Sequence, residues 1–175
     1  MHISAVEEYG LRCALQLASL PEGSVLAASQ VAEREGISVQ YASKILHLFR
    51  KSALVSASRG MQGGFCLVRP PESISLKAVF GAFREDKAAF CTQFSGQQAE
   101  CVHLKECSVR PVFNVLAGYF DSVLEHLTLG DLLRTEAETK QRVESFASRE
   151  ADRLREKIAL AGSAPAAQKI IGSKE

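Results

Sequence analysis

The chain has 175 residues, a net charge of +1, 46% hydrophobic residues and 23% charged residues. Such a length accommodates one domain and an appended element, and the composition is ordinary for a soluble globular protein. The sequence contains no apolar run near the ~20 residues that a transmembrane helix needs, and its first residues lack the basic start of a signal peptide. We therefore expect a cytoplasmic protein without a membrane partner, in which cysteine thiols stay reduced.

Three helices are predicted in the first 52 residues. Ser4 and Glu7 fit a capping box at the start of the first helix, because each can satisfy the backbone N–H of the other. A second helix, residues 29–35, is followed by Gly36, which suits the left-handed residue at a helix end, and Ser38 can cap the third helix. Two helices joined by a short glycine turn predict a helix-turn-helix, although any pair of packed helices is the alternative. The residues that would fix the helix crossing are Val31, Ala32, Ile37, Ala42 and Ile45.

Two short segments with alternating apolar and polar residues, 55–58 and 65–67, predict a β-hairpin. Between them lies a glycine-rich tip, residues 59–64 (RGMQGG). A helix-turn-helix followed by a small hairpin is a winged helix. Arg59 at the tip is placed to enter a minor groove, whose negative potential attracts guanidinium groups, although it could also be an ordinary exposed charge.

Charge is distributed unevenly around this predicted winged helix. Residues 36–71 contain no acidic residue, but they include five basic ones: Lys44, Arg50, Lys51, Arg59 and Arg69. A segment of this charge tolerates the phosphates of DNA and argues against a winged helix that binds only proteins.

Three of the five cysteines, Cys91, Cys101 and Cys107, lie in one polar stretch ahead of an apolar helix. Thiolates are soft ligands that suit iron–sulfur clusters or zinc. Structural zinc sites usually bring ligands in pairs two to four residues apart, and neither interval here does so, although His103 could complete a zinc set. We favour an iron–sulfur cluster, 2Fe–2S or 4Fe–4S, and keep zinc or a thiol redox switch as alternatives.

Three thiolates leave one coordination position open. The candidates are His2, Glu7, Glu8 and His103. Glu7 is occupied if the capping box forms, whereas Glu8 has no such contact, and the first helix could reach the partner subunit's cysteines in a dimer. From these residues alone, an ordinary i,i+4 ion pair between Glu8 and Arg12 is the favoured interpretation of Glu8. We interpret the other two cysteines, Cys13 and Cys66, as small buried hydrophobic residues.

A long helix is predicted after Ser108, with Pro111 in its first turn. Its apolar residues recur at spacings of three or four: Val112, Leu116, Tyr119, Val123 and Leu127. Such a seam usually packs against another helix, so we expect a homodimer, with an intramolecular core as the alternative. Residues 134–160 are rich in charges at i,i+4 spacing and predict an exposed helix, and residues 161–175 are predicted to be disordered.

These features together resemble the Rrf family of winged-helix iron–sulfur transcriptional regulators. The most specific resemblance is in residues 58–67 (SRGMQGGFCL), followed by Pro70-Pro71, Ile74 and Leu76. Residues 1–9 and 128–133 are similar too, and residues from 134 onward lie outside the resemblance. It implies a homodimer with the third helix in a DNA major groove, and cluster ligation by the three cysteines. Glu8 matches the position of a partner carboxylate ligand in the nitric-oxide sensors of the family. Arg110 stands where the cluster-homeostasis members have a histidine.

The resemblance and the predicted elements together define candidate DNA contacts. Gln40 or Ser43 could read base edges, while Tyr41 and Lys44 are placed for phosphates. Each could instead be plain helix surface. The full set is Ser38, Gln40, Tyr41, Ser43, Lys44, Arg59 and Gln62.

We therefore expect a mainly α protein with a small β-hairpin wing, arranged as a winged helix-turn-helix plus a long dimerisation helix. The expected units are a DNA-binding domain (1–83), a cluster-binding loop region (84–107), a dimerisation helix (108–133), and a charged helical then disordered tail (134–175). The expected function is a transcriptional repressor whose operator binding is switched by a cluster that senses nitric oxide, redox state or iron. The alternative is a cluster-free winged-helix factor that uses zinc or cysteine oxidation. No motif of an enzyme or of a small-molecule substrate site is present.

Overall fold

The computed structural model describes residues 3–21, 23–58, 60, 63–83, 101–103 and 106–162. Within these ranges the helices are α1 (Ala5–Ala18), α2 (Ala28–Glu35), α3 (Val39–Lys51), α4 (Leu76–Gly81), α5 (Arg110–His126) and α6 (Glu136–Gly162). The strands are β1 (Val55–Ser58) and β2 (Gly64–Leu67), and two 3₁₀ turns span Pro71–Ser73 and Gly130–Leu132. The predicted fold class, mainly helical with a small hairpin wing, is thereby confirmed.

The predicted helix caps are present. The Glu7 carboxylate accepts hydrogen bonds from the Ser4 N–H at 2.9 Å and from the Ser4 hydroxyl at 2.7 Å, which forms the capping box of α1. The Ser38 hydroxyl accepts a hydrogen bond from the Tyr41 N–H at 3.2 Å and so caps α3. Both caps satisfy backbone N–H groups that a helix start leaves without a partner.

The turn between α2 and α3 has the geometry that the sequence predicts. Gly36 adopts a left-handed conformation with φ of 66°, and the Ile37 N–H donates to the Ala32 carbonyl at 3.0 Å. Ala32 is 2% exposed, so its small side chain lies where the helices cross. Val31, Ala42 and Ile45 are fully buried beside it. The pair of helices is therefore held by packed apolar contacts.

Backbone hydrogen bonds attach the hairpin to the helical part of the domain, and Val55 of β1 is buried in the core. β1 and β2 pair antiparallel, with Val55 opposite Leu67 and Ser58 opposite Gly64. Phe65 and Leu26 exchange backbone hydrogen bonds of 2.9 and 3.0 Å, which join the wing to the loop before α2. This bridge orients the wing relative to the helix-turn-helix.

α5 is joined to the winged domain at its C-terminal end. The Leu76 N–H donates to the Leu127 carbonyl at 2.7 Å, and the Leu129 N–H donates to the Ile74 carbonyl at 2.9 Å. The long helix predicted after Ser108 is α5, which starts at Arg110. Leu127, which was predicted to belong to its apolar seam, lies just beyond its end and is buried in the core.

The described helices include none that is both long and apolar enough to cross a bilayer.

The segment predicted as a charged helix forms α6, which packs along α5 and is not isolated. The Tyr119 hydroxyl donates to the Ala147 carbonyl at 3.2 Å, and the Arg142 guanidinium pairs with the Asp131 carboxylate at 3.0 Å. Burial opposes ionisation of Asp131, but hydrogen bonds from Thr128 and Arg142 outweigh it and lower the pKa of the carboxyl group. Residues 163–175, where we predicted disorder, lie outside the described residues.

The wing bridge yields a test of the fold. A Cβ atom added at Gly64 would lie 2.7 Å from the backbone carbonyl carbon and oxygen of Leu26. Backbone atoms cannot rotate away, so we expect Gly64→Ala to lower the free energy of unfolding by about 1–3 kcal/mol. Gly118→Ala is the matched control, because nothing lies within 4 Å of its added Cβ. That change in α5 should stabilise the protein by up to ~1 kcal/mol through helix propensity. Urea unfolding measures both, and equal effects at the two positions would contradict the close approach.

Candidate DNA-binding interface and cysteine site

The outer face of α3 is exposed and free of acidic residues. Gln40, Ser43 and Lys44 all lie on the solvent side of the helix, while Ile45 and Phe49 face the core. This arrangement follows from the helical period, which places residues three and four apart on one face. The face therefore offers amide, hydroxyl and ammonium groups of the kinds that contact base edges and phosphates.

Tyr41 and Ser38 have structural contacts of their own. The Tyr41 ring is half-buried and lies edge-to-face against the Tyr9 ring of α1, with centroids 5.9 Å apart. The Ser38 hydroxyl is engaged in capping α3. Both residues thus position α3, and the DNA contacts predicted for them would come in addition to this role.

Two exposed residues on the same face were not among the sequence-based candidates. His47 and Arg50 are exposed and lie four and seven residues beyond Ser43. The signal that could have identified them is the i, i+3, i+4, i+7 spacing from Ser43. They extend the basic surface toward the C-terminal end of α3.

The wing candidates Arg59 and Gln62 lie outside the described residues, but the neighbouring tip residues define a tight turn. The Gly63 N–H donates to the Gly60 carbonyl at 2.9 Å, and Gly60 has φ of 117°, a conformation that glycine adopts without a steric cost. The Gly64 N–H donates to the Ser58 hydroxyl at 3.2 Å. These bonds connect the described residues of the tip, Ser58, Gly60, Gly63 and Gly64.

Two of the three clustered cysteines are described, and Cys91 lies outside the described residues. Cys101 and Cys107 are both free and half-buried, and they lie in the loop just before α5. The Arg110 guanidinium donates to the His103 carbonyl oxygen at 2.8 Å, which holds this loop against the first turn of α5. Among the described residues no three His, Cys, Asp or Glu side chains come together in a metal-binding group.

Glu8, the proposed fourth ligand, lies on the exposed side of α1. Its carboxylate is 3.6 Å from the Arg12 guanidinium, so the i,i+4 pair favoured from these residues alone is present. The same guanidinium donates to the Glu35 carboxylate at 2.9 Å, and the Glu35 side chain is only 6% exposed. An exposed pair such as Glu8–Arg12 is worth at most about 1 kcal/mol, so a metal could displace it, while Arg12 would keep its contact with Glu35.

The remaining cysteines differ from each other. Cys13 is fully buried, and its burial, together with the nearby Glu35 carboxylate, raises the pKa of its thiol to about 12. It is therefore unreactive, as expected for a small hydrophobic residue. Cys66 on β2 is only half-buried, and its sulfur lies 3.2 Å from the Ser56 hydroxyl. The prediction of a buried Cys66 is wrong: on the two-stranded wing it lies opposite the exposed Ser56 and not in the core.

The donor chemistry in the loop before α5 fits an iron–sulfur cluster. Cys101 and Cys107 offer two unpaired thiols at partly accessible positions, and soft thiolate ligands of this kind are what such clusters require. The predicted set of three cysteine ligands also needs a third thiol, for which the sequence offers Cys91. A fourth ligand from the same chain is not needed if Glu8 comes from a second copy.

Comparison with known proteins gives one family and several relatives. The family model described as Rrf2, iron-dependent transcriptional regulator, matches residues 3–135. The HTH-type transcriptional regulator NsrR of Halalkalibacterium halodurans is 30% identical over 138 residues, which cover 79% of this chain and 94% of that protein.

Two solved structures share the fold. IscR of T. potens has a TM-score of 0.61 and 24% identity, covering 76% of this chain and 86% of that one. CymR, described as the global cysteine regulator of B. subtilis, has a TM-score of 0.64 and 22% identity, covering 76% of this chain and 96% of that one. At these identities the structures support the fold alone.

The exposed ammonium of Lys44 gives a test of the interface. If it contacts a phosphate, Lys44→Ala should reduce the magnitude of the slope of log affinity against log salt concentration by about 0.9 for each bound protomer, because each releases one fewer counterion. Lys140→Ala is the control, since Lys140 is also exposed but lies on α6. Fluorescence anisotropy of a labelled duplex over a salt series measures both slopes. An unchanged slope for Lys44→Ala would remove this residue from the interface.

Proposed function

Because the chain belongs to the Rrf2 family of transcriptional regulators, we propose that it is a homodimeric DNA-binding repressor controlled by an iron–sulfur cluster on Cys91, Cys101 and Cys107. The observation that carries this proposal is the position of the two described thiols. Cys101 and Cys107 lie in the loop that leads directly into α5, the helix with the uncovered apolar seam. A change in that loop therefore acts on the proposed dimer interface.

The homodimer is supported by the exposed half of α5. Val112 and Leu116 keep 56% and 54% of their surface exposed, and Val115 keeps 37%. Further along the same helix, Leu124 is buried and Val123 packs against the core. Large apolar side chains that remain uncovered in one chain favour contact with a second chain over an intramolecular core. Dimerisation would place two α3 helices at the spacing that palindromic DNA sites require.

The proposed switch uses connections that exist within one chain. The Arg110–His103 hydrogen bond ties the cysteine loop to the first turn of α5. The other end of α5 is joined to the winged domain by the bridge between Ser75 and Thr128. When bound, the cluster supplies iron that can change oxidation state or be lost. A rearrangement of the thiol loop then shifts α5 and with it the spacing of the two α3 helices in the dimer.

A cluster-free thiol regulator is the second candidate. It is favoured by the likeness to CymR, which is described as a cysteine regulator, and by the free, partly accessible thiols of Cys101 and Cys107. In that case the thiols themselves would be oxidised. Zinc has less support, because structural zinc sites usually bring ligands in pairs two to four residues apart, and Cys91, Cys101 and Cys107 do not have that spacing.

Analysis of bound iron and sulfide distinguishes these candidates. We expect anaerobically purified protein to contain both and to show visible absorption, and we expect Cys101→Ser or Cys107→Ser to lose them, because each removes a thiolate ligand. Cys66→Ser is the matched control: it removes a half-buried thiol on the wing and should keep the iron. Iron-free wild-type protein that still changes its DNA affinity on oxidation would favour the thiol regulator.

The fourth ligand is tested separately. Glu8→Ala should shift the visible spectrum or shorten the lifetime of the cluster, because it removes a coordinating carboxylate. Glu33→Ala is the control, since Glu33 is an exposed glutamate on α2. Anaerobic absorption spectra followed over time measure both variants. An unchanged spectrum and lifetime for Glu8→Ala would exclude this residue as a ligand.

A further inference from the structure

Helix α6 lies beyond the part of the chain that the family shares. The family match ends at residue 135, and α6 begins at Glu136 and continues for 27 residues. The matches to NsrR and to CymR cover 94% and 96% of those proteins, so neither has room for a helix of this length beyond the match. α6 is therefore an addition whose role the family membership does not explain.

The contacts between α5 and α6 define an antiparallel pair. Ser122 donates to the Glu150 carboxylate at 2.8 Å, and the rings of His126 and Phe146 stack at 5.2 Å. Residue 126 is thus level with residue 146, and residue 122 is level with residue 150. Because the rise per residue is equal in both helices, residue 118 is level with residue 154, and residue 114 is level with residue 158. Ile158 therefore lies beside the exposed first half of α5.

Apolar residues on α6 repeat with heptad spacing. Ala147, Ala151, Leu154 and Ile158 are separated by four, three and four residues, the spacing of a coiled-coil seam. The first three are half-buried, whereas Ile158 keeps 54% of its surface exposed. This value matches that of Leu116 on α5. The two helices therefore present uncovered apolar residues at the same end of the pair.

The charges of α6 identify the kind of partner. The helix contains six acidic and six basic residues, so its net charge is zero. Several of these charges pair within the helix itself, such as Arg155 with Asp152 at 3.0 Å and Arg153 with Glu150 at 3.7 Å. Equal numbers of acidic and basic residues give α6 no net attraction for nucleic acid or for an anionic membrane, which both favour a strongly basic surface. Two copies of α6, however, can approach each other without repulsion.

We propose that the α5–α6 pair docks against the same pair of a second copy, so that the dimer is held by four helices. Leu154 and Ile158 of α6 would join Val112 and Leu116 of α5 in the interface. This inference rests on the homodimer of the proposed function and adds α6 to its contact surface. The added contact runs from Leu154 to Ile158, about 6 Å along the helix. It lengthens an interface that α5 alone would provide.

Dilution of the full-length protein, followed by sedimentation velocity or mass photometry, measures the dimer dissociation constant. We expect Ile158→Glu to raise this constant at least tenfold, because it places a charge among apolar residues. Ser145→Glu is the matched control, since it adds the same charge to an exposed position near the opposite side of α6. Ile158→Leu should dimerise like the wild type, and Ile158→Ser should weaken the dimer less than Ile158→Glu does. Far-UV circular dichroism checks that all variants keep their helix content.

Val112→Glu separates this inference from the proposed dimer itself. If Val112→Glu weakens the dimer but Ile158→Glu does not, the α5 dimer stands and the role of α6 is overturned. If the wild type is monomeric at all concentrations, both proposals fail. A third outcome is a tetramer that Ile158→Glu converts into a stable dimer. In that case α6 joins dimers together, and its assignment to the dimer interface is wrong.

Discussion

Ile74 and Leu129 are fully buried where the winged domain meets the end of α5, and their backbones are hydrogen-bonded at 2.9 Å. A second bond of 2.7 Å joins the Leu76 N–H to the Leu127 carbonyl. Breaking either bond would leave a polar backbone group without a partner, at a cost of about 1–3 kcal/mol each. The end of α5 is therefore held at a defined angle to the winged domain. The positions of the two α3 helices in any dimer built on α5 depend on this joint.

The segment that follows the joint reinforces it. A Cβ atom added at Gly130 would lie 2.9 Å from the Glu72 side chain, so the chain passes close to the turn before α4. Asp131 accepts hydrogen bonds from both the N–H and the hydroxyl of Thr128, and it also pairs with Arg142 of α6. One nearly buried carboxylate thus contacts the end of α5 and the start of α6. The joint, α5 and α6 form one continuous packed structure.

The proposed DNA-binding surface and the proposed control site lie in different parts of the chain. The exposed side of α3 carries Gln40, Ser43 and Lys44, and no acidic residue occurs between residues 36 and 71. Cys101 and Cys107 instead precede α5, outside the winged helix. Such an arrangement lets a control site change without altering the DNA-contacting groups themselves. Under the proposed function, the effect would pass through the orientation of α5, which lies between the cysteine loop and the winged domain.

The sequence by itself determined the local structure: the capping box at Ser4, the left-handed turn at Gly36 and the cap at Ser38 depend only on neighbouring residues, and all three are present. The winged fold and the apolar seam of α5 followed from the same short-range periodicity. Contacts between distant residues needed the tertiary structure, because periodicity does not tell which partner covers a given face. The tertiary structure showed that α6 packs on α5, that the Tyr41 ring contacts the Tyr9 ring of α1, and that Cys66 is only half-buried. Each of these depends on how elements far apart in the chain come together.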